Sequence, residues 1–111
     1  MSTTIGADDL QELVALCDAD GIILDWNRAA EEVTGFTRDD VAGYHIDSVV
    51  APSSRPLLEE VLALRRTGTT VPGVDLRLQS SFGAEIPVEM TVIPRQEGGR
   101  FAGWLLIFRD T

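Results

Sequence analysis

Short apolar runs at two different periods organise the chain. Leu13 to Cys17 and Ile22 to Trp26 are runs of strand length, separated by the turn-forming stretch Asp18-Ala-Asp-Gly21. Gly21 is free to take positive φ, and the pattern is that of a β-hairpin. Asn27 then stands as a helix cap before Arg28 to Val33, and Gly35 supplies the stop. Thr37 and Asp40 have capping-box spacing and open a second short helix closed by Gly43. A third short turn runs from Ile46 to Val50 and halts at Pro52. Ser53, Ser54 and Pro56 open the longest helix, whose Leu57, Leu58, Val61, Leu62 and Leu64 predict a mostly one-sided stripe. Arg65 and Arg66 come late in it, and Gly68 is its stop signal.

The last third switches to period two. Val74 to Gln79 and Ile86 to Val92 alternate, and Phe101 to Phe108 is long, apolar and aromatic. Links at Ser81–Ala84 and Gln96–Gly99 predict consecutive hairpins. Pro87 demands a bulge or an outward-facing N–H position in its strand. Two strands at the start and three at the end, without βαβ alternation, predict an α+β fold. Its antiparallel sheet carries the helices on one face.

Composition narrows the classes of partner. The chain has 111 residues, enough for one core, and residues 1–10 read as an N-terminal arm or cap before a single domain at 11–111. Eighteen acids against nine bases leave a net charge of −9, which disfavours nucleic acid and anionic lipid. All nine bases are arginine, a bias expected of a GC-rich genome or an acidic, salt-adapted proteome. No apolar run is long enough for a membrane span, and the N-terminus lacks the pattern of a secretory signal. A single cysteine, Cys17, excludes an internal disulfide framework and fits a reducing, cytoplasmic compartment.

The acids around Gly21 invite comparison with a calcium loop, but the register fails. Glycine at position six would place Leu16 at one and Asn27 at twelve, where acids are required. One histidine and one cysteine do not make a zinc site, so no metal is predicted. No catalytic group is predicted either. Cys17 falls inside an apolar run, His45 has no orienting partner placed by the sequence, and the adjacent acids Glu31-Glu32 and Asp39-Asp40 diverge on a helix.

The element order and several short pieces resemble a PAS sensor domain. The pieces are Asp20-Gly21-Ile22-Ile23, Asn27-Arg28-Ala29-Ala30, Thr34-Gly35-Phe36-Thr37 and Val41-Ala42-Gly43. Gly103 to Asp110 looks like the final strand leading into the Asp-x-Thr signature, stopping before that threonine. The resemblance covers residues 10 to 111 and implies a five-stranded antiparallel sheet of order 2-1-5-4-3, with a pocket between sheet and helices. It also argues against particular cofactors. The photoreactive cysteine of light-oxygen-voltage members would fall at Ile46, and their flavin-facing glutamine at Phe108. Haem-binding members use a histidine on the long helix, where residues 54–67 have none, and the photoactive-yellow type needs a cysteine near the helix rather than at Cys17.

With no cofactor predicted, a small organic ligand or a filled core remains. Trp104, Leu106 and Phe108 share one face of the last strand by alternation, beside Met90 and Val92, with Leu58 and Leu62 on the long helix. Tyr44, His45 and Arg77 are the polar groups that could orient a ligand among them. The opposite face carries Leu105 and Ile107, with Leu13 or Val14 beside them, and reads as a contact surface. The resemblance implies a homodimer formed there with the N-terminal segment, and a C-terminal output domain such as a histidine kinase, a cyclic-di-nucleotide enzyme or a transcription regulator. The expectation is a non-enzymatic sensory input module of a bacterial or archaeal signalling protein. A ligand-free dimerisation module is the alternative. A small cone-shaped α+β enzyme would need an inward acid, whereas Asp75, Glu85 and Glu89 alternate with apolar residues and are expected to face solvent.

Overall fold

The computed structural model describes residues 12–64 and 70–111. Strands β1 (Leu13–Asp18) and β2 (Ile23–Trp26) lead into helices α1 (Arg28–Thr34) and α2 (Arg38–Val41). Two 3₁₀ turns, Ile46–Val49 and Pro52–Ser54, precede helix α3 (Arg55–Leu64). Strands β3 (Val71–Gln79), β4 (Glu85–Glu97) and β5 (Arg100–Asp110) complete the fold. The sheet is antiparallel throughout, in the order β2-β1-β5-β4-β3. The expected arm at residues 1–10, the late arginines Arg65 and Arg66 and the stop at Gly68 lie outside the described residues.

The first helices begin where their caps predict. Asn27 Oδ1 accepts from Ala30 N, and Thr37 and Asp40 exchange reciprocal side-chain-to-backbone bonds in a capping box. Asn27 also continues the β1–β2 ladder with its side chain. Its Oδ1 accepts from Val14 N at 3.0 Å, and its Nδ2 donates to Glu12 O at 3.0 Å.

Elsewhere tertiary pairing overrides local pattern. The last three strands are longer than their alternation predicts. β4 runs on through Pro94 to Glu97 because β5 offers partners as far as Glu97↔Arg100. The connecting turn therefore shrinks to Gly98-Gly99, both at positive φ as a tight hairpin requires. Pro87 stays in register opposite Arg77 without a bulge. Its carbonyl accepts from Thr111 N, so its missing N–H falls on the β5 side and spares the ladder to β3. On α3 the predicted stripe narrows. Leu58 and Leu62, four residues apart, are buried and Val61 half-buried, while Leu57 and Leu64 face solvent.

The core lies between the inner sheet face and the helical segment. On β5 the buried Trp104, Leu106 and Phe108 stand opposite Pro94, Val92 and Met90 of β4 and Cys17, Ala15 and Leu13 of β1. Ile46, Val49, Leu58 and Leu62 close over them. The small Ala15 and Cys17 leave room for the large β5 side chains. Gly103, at φ 131°, is required by close approach, since a Cβ there would run into the Cys17 carbonyl. The orientation of β1 also decides the outer face. Leu13 is buried inward, and Val14 and Leu16 lie outward opposite Ile107 and Leu105, all four half-buried.

Candidate functional site at the hairpin turn and long helix

The β1–β2 turn uses its carboxylate on its own backbone. Asp18 Oδ1 accepts from Asp20 N at 2.9 Å and Ile22 N at 3.0 Å, and Gly21 N bonds to Asp18 O at 3.0 Å. That oxygen stabilises the turn as in other Asx turns. Among the described residues no group of three or more His, Cys, Asp or Glu converges as metal ligands would.

The turn in turn seats His45. Gly21, at φ 82°, lies flat against the imidazole, and any Cβ at that position would strike Nε2. Backbone bonds pin the surrounding loop to β2: Ile23 N to Tyr44 O, Gly43 N to Ile23 O, and Ile46 N to Gly21 O, all between 2.8 and 2.9 Å. His45 caps the first 3₁₀ turn, its Nδ1 accepting from Asp47 N at 3.1 Å, with Asp47 Oδ1 at 3.3 Å.

A cleft of about 400 Å³ opens here, bounded by the turn residues Asp20 and Gly21, by His45, by Glu59 and Leu62 of α3, and by Trp104 of β5. The Trp104 ring is held edge-on by Phe101, with centroids 4.8 Å apart. The site thus offers an imidazole, two carboxylates and an apolar wall, at the junction of hairpin, long helix and last strand.

The residues expected to line or orient a ligand are divided among several places. Leu58, Met90, Leu106 and Phe108 have no exposed surface and meet as part of the closed core. Leu62 and Trp104 sit at the core margin and reach the cleft, where His45 joins them. Tyr44 is 62 % exposed and lies in a different groove. Arg77 is exposed on the edge strand β3, 3.7 Å from Glu85. Asp20 and Glu59 escaped the sequence reading because each looks like an ordinary solvated acid; only the packing of α3 beside the turn brings them together. Of the three acids expected to face solvent, Asp75 and Glu85 do, and Glu89 is half-buried.

Cys17 is closed off. Burial pushes its thiol up to about 12, Asp18 adds to the effect, and Arg95 partly opposes it. Such a thiol is a packing group rather than a nucleophile.

The fold is a five-stranded antiparallel sheet with a helical cover over one face. Residues 7–111 match the family model described as the PAS fold, and the chain belongs to the PAS family. Phytochrome C of Arabidopsis thaliana is 33% identical over 78 residues, which cover 68% of this chain but 7% of that protein. The chain thus spans a small fraction of its curated relatives. A PAS domain from Colwellia psychrerythraea superposes with a TM-score of 0.81 at 23% identity, covering 94% of this chain and 89% of that one. A domain of the sensory box sensor histidine kinase/response regulator from Geobacter sulfurreducens gives 0.75 at 22% identity, covering 90% and 83%. PAS domains are in general sensory modules rather than catalysts. No described helix is long and apolar enough to cross a membrane.

Proposed function

We propose that the chain is the cytoplasmic input module of a larger bacterial or archaeal signalling protein, and that it binds a small organic ligand at the cleft beside His45. The observation that carries this reading is the convergence of His45, Leu62 and Trp104 on one opening that falls within the volume range of small-molecule sites. The dry core beneath leaves no comparable room among Leu58, Met90, Leu106 and Phe108. A ligand there would touch the turn, α3 and β5 at once. By binding one packing of α3 against the sheet better than another, it would shift the position of β5, and Arg109 and Asp110 would pass that shift to an output domain. The length of the phytochrome relative and the kinase description of the Geobacter protein support an attached output domain, such as a histidine kinase.

A second reading rests on the outer sheet face. Val14, Leu16, Leu105 and Ile107 form an apolar strip there, which favours a homodimer with the N-terminal segment and, in the alternative, a module that serves dimerisation alone. Native mass spectrometry and an absorption spectrum of protein purified from cells separate the two. A co-purifying molecule lost on His45→Ala supports the sensor; a ligand-free dimer disrupted by Leu105→Asp overturns it.

A further inference from the structure

A second groove, on the helical side, is lined by Phe36, Asp40, Val41, Tyr44, Ser48 and Val49. Its volume is about 210 Å³, below the range of small-molecule sites and suited to one side chain. Val41 and Val49 are almost wholly buried and form an apolar floor, with half-buried Phe36 on the rim. Tyr44 stands beside them 62 % exposed, although its backbone is pinned to β2 through the Tyr44 O bond to Ile23 N. A solvent-facing aromatic on a pinned backbone, next to an apolar floor, has the form of an interface anchor.

The charge around the groove selects the occupant. Asp40 is the charged residue that lines the groove, and the arginine two residues before it, Arg38, is paired with Asp25 at 2.7 Å. Asp40 gives one oxygen to Thr37 N in the capping box and keeps its charge at the rim. A second copy paired through this same groove would set Asp40 against Asp40, and an anionic membrane would be repelled by it in the same way. We propose that this groove docks a basic peptide segment of a partner protein, inserting one large apolar side chain between Phe36 and Tyr44 while a flanking Lys or Arg meets Asp40.

The test titrates ¹⁵N-labelled protein with the synthetic peptide acetyl-Arg-Lys-Leu-Phe-Lys-Arg-amide. It is repeated with a version carrying Ser for Leu and Phe, and with one carrying Glu for every basic residue. Amide shifts confined to residues around Val41, Tyr44 and Val49 are expected with the first peptide only. Tyr44→Ala, a change at an exposed position, should weaken binding at least about tenfold. Asp40→Asn keeps an acceptor for Thr37 N and should weaken binding about two- to fivefold, with added salt acting alike. The proposal fails if no shifts appear at about 1 mM peptide, the weak end of measurable affinity. It fails equally if the Glu or Ser peptides bind as well, or if the shifts map to the His45 cleft or the outer sheet face. Concentration-dependent shifts at Tyr44 without peptide would assign the groove to self-association and overturn it.

Discussion

The inner sheet face and the His45 cleft lie side by side and obey different rules. On the sheet, Leu13, Met90, Leu106 and Phe108 are sealed on every side and contribute chiefly by dispersion and removal from water. At the cleft, Asp20, His45 and Glu59 stay in reach of solvent, and His45 is seated by its bond from Asp47 N. The contrast shows where the fold can change at low cost. A sealed core answers a small perturbation with a large loss of stability, whereas the margin can gain or lose a partner while the core stays shut.

The sharpest way to break that comparison is Phe108→Ala. Phe108 stands between Leu13 and Met90, and its truncation should destabilise the domain by about 3–5 kcal/mol, read from urea unfolding midpoints. Glu59→Gln at the cleft should change the same midpoint by less than about 0.5 kcal/mol. Equal losses at the two positions would mean that the cleft is part of the core rather than a margin to it.

Asn27→Ala tests the join between sheet and helices. It removes the cap on Ala30 N and the side-chain bonds to Val14 N and Glu12 O, and should cost about 1–2 kcal/mol. Asn27→Asp keeps the acceptor but loses the Nδ2 donor, and should recover part of that loss. Full recovery would show that the cap alone matters.

The smallest effect lies on the surface. The Arg38 guanidinium, 2.7 Å from Asp25, holds its carboxyl below the ordinary carboxylate value, helped by the Trp26 amide. Because the folded value is depressed, the stabilisation is fully present above the ordinary 3.8 and is lost as pH falls through the folded value. Asp25 is exposed, so the effect should be small and screened by salt. In the wild type, a fall in stability below the ordinary value that Asp25→Asn reduces would confirm it; an identical acid limb in both proteins would exclude it.

Much of the fold was legible because local rules carry it. The hairpin turn at Asp18 to Gly21, the caps at Asn27 and Thr37, and the shared face of Trp104, Leu106 and Phe108 on β5 each follow from turn chemistry, capping or period-two alternation. The candidate site residues were legible as types but not as a group. Alternation says that Leu106 and Phe108 share a face, yet not whether that face lines a pocket or a filled core. Tyr44 and His45 are neighbours in the chain and open into separate depressions, a divergence that adjacency cannot reveal.

By itself, then, the sequence determined which segments become strands and helices, where the first helices are capped, and which side chains of a strand share a face. Those outcomes depend on interactions within a few residues. The tertiary structure decided how far β4 extends, why Pro87 is tolerated, which face Val14 takes and which acids meet His45. Each of these depends on a partner brought from tens of residues away, such as β5 beside β4 or α3 beside the β1–β2 turn, and no local pattern encodes that partner's position.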